Sequence, residues 1–382
     1  MQKNIPYGLH WIDADDIDAV TDVLRGEWLT QGPLVARFEE EIAAYAGTRY
    51  AVAFNSGTSA LHGAMFAAGV APGDEIVTSP ITFVATANAA VYLGARPAFT
   101  DIDMDTYCID TDRIRNTLTE RTKVIAPVDM AGYPVDIAAV NEIAAERDLV
   151  VIEDAAHALG AKRSGVKVGS QADMTMFSFH PVKHITTGEG GIIVTDSDEY
   201  AEKLRQFRSH GITKDADRLT KNDGPWYYEM QHLGYNYRIT DIQCALGISQ
   251  LKKLERFVIR RNEIAGVYDE AFQDIPQIIT PPQVHDPRSR HAYHLYPVRV
   301  QGTIRKGLFL KLRERGIFCQ VHYIPVHLQP YYRTSYGYGE GDYPVSEEYY
   351  RTEISLPMFP RMADEDIFRV IESVRTTIAE MS

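Results

Sequence analysis

The run Phe177-Ser178-Phe179-His180-Pro181-Val182-Lys183-His184-Ile185-Thr186-Thr187-Gly188-Glu189-Gly190-Gly191 decides how this chain is read. It opens as the end of an apolar strand over 174–179, turns at a proline, and exits through glycines into a second apolar strand over 191–195. Upstream, residues 50–54, 75–78, 97–102, 123–128 and 149–152 read as further strands. Helical spacing over 58–68, 83–93 and 137–147 fills the gaps between them. Short apolar runs without strict alternation mark strands covered on both faces. The pattern therefore implies an α/β domain with a mostly parallel sheet flanked by helices. Ligands of such sheets gather at the carboxyl ends of the strands. Asn55, Ser56, Gly57, Asp154 and Ser178 fall at or near those ends.

Farther along, 240–272 reads as one long helical stretch, with Ile242, Leu246, Ile248, Leu251, Leu254, Phe257 and Val258 at helical spacing. It leads into a smaller α+β unit: strand 294–300, helix 305–315 stopped by Gly316, strand 317–323 and a terminal helix over 364–379. The division expected is a large domain over 1–250 and a small C-terminal one over 251–382. Residues 214–230, mixing Asp, Lys, Gly, Pro and aromatics, read as an ordered loop or flap. A formal charge of −13 opposes nucleic acid and anionic membrane, so a nucleotide-linked substrate needs a local basic pocket. No stretch has the length and apolarity of a signal peptide or membrane span, and a cytoplasmic protein is expected. Cys108, Cys244 and Cys319 are too few and too scattered for a disulfide framework or a zinc site.

Three segments carry chemistry. Gly57, Thr58 and Ser59 stand where a strand turns into a helix, so free backbone N–H groups and two hydroxyls converge into an anion site. Asp154 closes the apolar run Val150-Val151-Ile152-Glu153, at a depth where a carboxylate requires a cationic partner. Lys183 lies five residues beyond Ser178 in a Gly-bounded loop, where desolvation lowers an amine toward neutrality. Taken singly, these are also an N-cap, a capping Asp in a βα loop and a surface lysine. Together they suit pyridoxal phosphate (PLP): its phosphate on Gly57, Thr58 and Ser178, its pyridinium on Asp154, its aldehyde carbon on Lys183. His157 is placed to reach the phenolic oxygen and Phe83 to stack on the ring. Asn236 and Arg238, before the long helix, suit phosphate or diphosphate, or simply flank a helix cap at Thr240. His322 and Tyr323, with His327 nearby, lack a carboxylate or Cys at ligand spacing, so no metal is expected.

End to end, these features resemble the DegT-type nucleotide-sugar aminotransferases, PLP enzymes of the aspartate-aminotransferase fold (fold type I). The likeness runs from Trp28-Leu29-Thr30-Gln31-Gly32-Pro33 through Ser178–Lys183 and Gly234–Asp241 to Ile354-Ser355-Leu356-Pro357. The stretches 79–88, 177–191, 207–212 and 320–332, with the Trp28 segment, are most similar to the branch that makes UDP-4-amino-4,6-dideoxy-N-acetyl-β-L-altrosamine for pseudaminic acid. Gly57 departs from it, standing where that branch often carries Ala. The resemblance implies Lys183 as the lysine bonded to the cofactor and L-glutamate as amino donor. The acceptor would be a UDP-linked 4-keto-6-deoxy-N-acetylhexosamine. It also implies a homodimer in which Asn236 and Arg238 reach the neighbour's site. Substrate contacts are expected from Tyr7, Glu27, Trp28, Leu29 and Thr30 in the N-terminal segment, and from Gln320, Val321, His322 and Tyr323. Another nucleotide-sugar aminotransferase, of perosamine or dTDP-ketosugar type, is the alternative. Sugar dehydratases of this fold replace the lysine by histidine, whereas here Lys183 keeps the five-residue offset and His184 does not. A non-catalytic regulator on this fold is opposed by the intact Lys183 and Asp154.

Overall fold

The computed structural model describes residues 4–381. Its centre is a seven-stranded sheet of β1 (Tyr50–Phe54), β2 (Glu75–Thr78), β3 (Arg96–Phe99), β4 (Thr122–Ala126), β5 (Val150–Asp154), β8 (Met174–Ser178) and β9 (Gly191–Thr195). A short hairpin of β6 (Lys162–Arg163) and β7 (Val166–Lys167) interrupts the series. The spatial order is β1-β9-β8-β5-β4-β2-β3, and β9 alone runs against the others. This is the mostly parallel, doubly covered sheet that the apolar runs imply. Alternate residues of one strand enter opposite cores: Ile192 and Val194 pack with Phe38 and Phe177 on one face, Ile193 with Met174 and Leu61 on the other. Covering both faces is what makes these strands apolar throughout.

The C-terminal region has its own core, in which Tyr268, Tyr296, Leu308, Ile354 and Val370 pack together and Ile5 of the N-terminal segment joins them. Its sheet pairs Ile278–Ile279, Tyr296–Val300 and Glu353–Leu356, flanked by helices Gly302–Glu314 and Asp364–Ala379. Among the described residues no helix is long and apolar enough to cross a membrane.

Several element boundaries differ from the sequence reading. The long stretch splits into helices Asp241–Leu251 and Leu254–Phe272, broken at Lys252–Lys253, where Lys253 pairs with Asp13 and Asp16 of the first helix. Residues 317–323 are not a strand. Ile317 bridges to Ile5 and Gln320 to Ser355, so the segment crosses between two neighbours without running beside either. The helix expected from 83 begins at Ala85, which leaves Phe83 in the preceding turn. Within 214–230, Glu229–Met230 pairs with Ile212–Thr213, and the intervening residues form a loop with one 3-10 turn.

Candidate active site

The carboxyl ends of β1, β5 and β8 open onto a cavity of about 440 Å³. Helix Gly57–Ala67 starts there because Ser56 caps it: Ser56 Oγ accepts from Ser59 N at 3.1 Å while Ser59 Oγ accepts from Ser56 N at 3.1 Å. That reciprocal cap satisfies the third N–H of the helix. The N–H groups of Gly57 and Thr58, and the Thr58 hydroxyl, find no acceptor in the described chain. Ser178, the last residue of β8, stands beside them; a Cβ on Gly57 would meet its Oγ at 3.3 Å. The close approach depends on Gly191, opposite Ser178 in the β8–β9 register, where a Cβ would meet Gly57 Cα at 2.6 Å.

Asp154 is 4% exposed at the end of β5. Its Oδ2 accepts from Thr86 Oγ1 at 2.6 Å and its Oδ1 from Ala156 N at 3.1 Å. Burial raises its pKa above the usual carboxylate range, against the lowering effect of those two donors and of Lys183. Lys183 lines the same cavity, and burial lowers its ammonium to about 7; Asp154 opposes that shift and Arg261 adds to it. The cavity separates the two charges, which form no direct ion pair. His157, 5% exposed, has its Nε2 3.2 Å from Tyr323 Oη, and its Nδ1 has no partner. Burial first, then nearby Lys183, hold its pKa well below the ordinary value, so the ring is neutral. Phe83 is 58% exposed at the cavity wall, its ring 6.1 Å from that of Tyr323.

Of the residues singled out from sequence, Tyr7, Gly57, Thr58, Phe83, Asp154, His157, Ser178, Lys183, His322 and Tyr323 line this cavity. Tyr7 packs on His322 at 5.3 Å between ring centroids, and the His322–Tyr323 peptide is cis. His322 Nδ1 meets Ser355 Oγ while His327 Nε2 meets Glu347, so the two histidines serve separate partners. Gln320 and Val321 stay outside the cavity, and so do Glu27, Trp28, Leu29, Thr30, Asn236 and Arg238. The segment that follows Trp28 nonetheless meets the helix start that follows Arg238: Thr30 bridges to Thr240, and buried Asp241 accepts from Gly32 N at 2.8 Å and Leu34 N at 3.0 Å. The sequence reading missed Thr86 on Asp154, and also His294 and Arg261 behind Lys183. Thr86 had one signal, its place four residues after Thr82 on a helix opening beside Phe83.

Each polar corner of the cavity fits one group of PLP. A buried carboxylate with only hydroxyl and N–H partners suits a pyridinium, an unpartnered His157 Nδ1 lies in the same pocket, and free helix N–H groups with two hydroxyls suit a phosphate. The sequence profile of the DegT/DnrJ/EryC1/StrS aminotransferase family matches residues 10–375.

The chain belongs to the DegT/DnrJ/EryC1/StrS aminotransferase family.

The spore coat polysaccharide biosynthesis protein SpsC of Bacillus subtilis is 44% identical over 98% of this chain and 97% of its own length. The UDP-4-amino-4-deoxy-L-arabinose–oxoglutarate aminotransferase of Shewanella sediminis is 37% identical over 95% of each chain. Among solved structures, Helicobacter pylori PseC, an aminotransferase of pseudaminic acid biosynthesis, superposes with a TM-score of 0.92 at 35% identity, covering 99% of this chain and 100% of that one. The PLP form of the sugar aminotransferase Spr1654 of Streptococcus pneumoniae superposes at 0.91 with 31% identity, over 99% and 100%. As a member of the DegT family this protein has the PLP fold type I and is a PLP-dependent sugar aminotransferase, using an amino donor and a nucleotide-sugar keto substrate.

Proposed function

We propose that this enzyme moves the amino group of L-glutamate to C4 of a UDP-linked 4-keto-6-deoxy-N-acetylhexosamine, the amination that leads to pseudaminic acid. The observation that carries the reading is that Lys183 and Asp154 line one cavity together with the helix N-terminus of Gly57 and Thr58 and the hydroxyl of Ser178. UDP and C4 are supported by the Shewanella relative, named for a UDP-4-amino sugar, and the pathway by the likeness to PseC.

Bound in the cavity, PLP supplies the electron sink for the pair left when a proton leaves the donor's Cα. Asp154 would hold the ring nitrogen in its charged form, and Gly57 N, Thr58 and Ser178 would hold the phosphate. His157 would serve the phenolic oxygen and Phe83 would cover the ring, both lining the same cavity. Lys183 would hold the cofactor at rest, and its Nζ, when free, is the base that would take the donor's Cα proton and carry it across the site. In the second half-reaction the same nitrogen runs this transfer in reverse on the sugar. Tyr7, His322 and Tyr323 border the space left for the hexose.

The residues left outside the cavity support a homodimer. Trp28 and Leu29 are 56% and 49% exposed, Asn236 is exposed, and Arg238 has no ion-pair partner in the described chain. In our reading Glu27–Thr30, Asn236 and Arg238 enter the neighbour's site, and Arg238 meets the diphosphate. Gln320 and Val321 line the outer approach to the sugar. Three buried free thiols fit a reducing cytoplasm.

The test is to supply the PLP-loaded enzyme with glutamate and a panel of UDP- and dTDP-linked ketosugars and to identify products by NMR. A 4-amino product from the UDP-4-keto-6-deoxy-N-acetylhexosamine, formed at the highest kcat/KM of the panel, is expected. Preference for a dTDP-sugar or for a 3-keto sugar would contradict the proposal.

A further inference from the structure

His294 is 4% exposed, and its imidazole has a single polar contact among the described residues. Its Nε2 lies 3.5 Å from Lys183 Nζ, while Nδ1 has no partner. Buried polar atoms are as a rule hydrogen-bonded, so an imidazole committed to one lysine asks for a reason. Two sets of bonds fix the approach. The buried guanidinium of Arg261 donates to the carbonyls of Tyr293 and His294, each at 3.1 Å, and of Val182 at 3.4 Å. On the other side of the lysine, His184 Nε2 lies 3.0 Å from the Ala292 carbonyl. The residues flanking Lys183 are thus tied to the segment that carries His294, and the distance between the two side chains is set by the scaffold. Burial, with Lys183, His157, Arg261 and His184 nearby, holds His294 well below its ordinary pKa, so its ring is neutral.

We propose that His294 is a positioning residue that serves as the resting partner of the Lys183 amine: protonated on Nδ1, it accepts an N–H from Lys183 at Nε2 whenever that amine is free. The inference rests on Lys183 being the lysine bonded to the cofactor. The other tautomer, with Nε2–H, would donate into the lone pair that the amine needs for attack and proton transfer. An acceptor at Nε2 instead leaves that pair facing the cavity. Among the described residues no other group lies within hydrogen-bond distance of Lys183 Nζ. Asp154 lies across the cavity on the cofactor's side, Arg261 is a cation, His322 is engaged by Ser355 and His184 by Ala292. A length of 3.5 Å is the outer limit of a hydrogen bond, and catalytic contacts of this kind shorten in the working complex.

The direct test is NMR of histidine-labelled (15N) apoprotein, with the His294 signals assigned by their loss in His294→Gln. In the wild type, Nε2 is expected unprotonated and hydrogen-bonded, and in Lys183→Met its signal moves further than that of any other histidine. An Nε2 signal that is protonated, or unchanged by Lys183→Met, overturns the proposal. Kinetics supply the second readout, because a Gln amide reaches the Nε2 position and an Asn amide stops at the Nδ1 position. His294→Gln is expected to keep most of kcat, while His294→Asn loses about tenfold in kcat at nearly constant KM for glutamate. Equal rates for the two variants, or a loss confined to KM, would refute it. If Lys183 were not the cofactor-bearing residue, borohydride labelling would report that separately, leaving the apoprotein result unaffected.

Discussion

Lys183 and Asp154 line one cavity, both withdrawn from bulk water, and burial shifts their pKa values in opposite directions. In its proposed role Lys183 must be neutral to bond the cofactor. With its pKa lowered to about 7, the rate at which apoprotein captures PLP should rise with pH through about 7 and level off above it, as followed by the imine absorbance. A rate that climbs only near the ordinary lysine range of about 10 would show the amine to be solvated. Lys183→Ala should retain PLP through its other contacts yet lose at least about a thousandfold in glutamate-driven turnover. Thr86→Val removes the 2.6 Å donor to Asp154. A hydrogen bond to a charge is worth about 1.5–3 kcal/mol, so the acid limb of the kcat/KM profile should move up by about one to two pH units. Most of this chemistry was legible because Ser178 to Lys183 and Val150 to Asp154 are contiguous. Thr86 and His294 were not, since they reach Asp154 and Lys183 from 68 and 111 residues away and local pattern carries no signal of that.

At the scale of elements, the proposed phosphate cradle depends on a helix N-terminus pressed against a strand. Gly191→Ala would place a methyl 2.5 Å from Ser56 O and 2.7 Å from Gly57 N, both backbone atoms that cannot swing aside. It should cost about 1–3 kcal/mol in urea unfolding and weaken PLP retention. Ser56→Ala, which only removes the cap, should cost about 1 kcal/mol. The central strands were readable because burial on both faces makes them apolar throughout, and the helices because Gly and Pro punctuate them. Residues 317–323 misled because apolar Ile317 and Cys319 alternate as in a strand. Their alternation reflects packing into the C-terminal core, with only isolated bridges at Ile317 and Gln320. The break at Lys252–Lys253 was hidden because the apolar spacing continues across it, and the ion pairs that hold Lys253 involve Asp13 and Asp16, far away in sequence.

For the whole molecule, the proposed dimer makes each site a joint product of two chains. If Arg238 serves the neighbour, Lys183→Ala and Arg238→Ala are each inactive alone. A statistical mixture, refolded or exchanged together, should regain about a quarter of native activity, because half the dimers then hold one intact site. No recovery would place Arg238 in its own chain's site. The account as a whole stands on one covalent attachment. PLP-loaded enzyme reduced with borohydride, digested and mapped by mass spectrometry should carry the pyridoxyl label on Lys183, with glutamate added beforehand preventing it. A label on any other lysine, or none, would contradict the account.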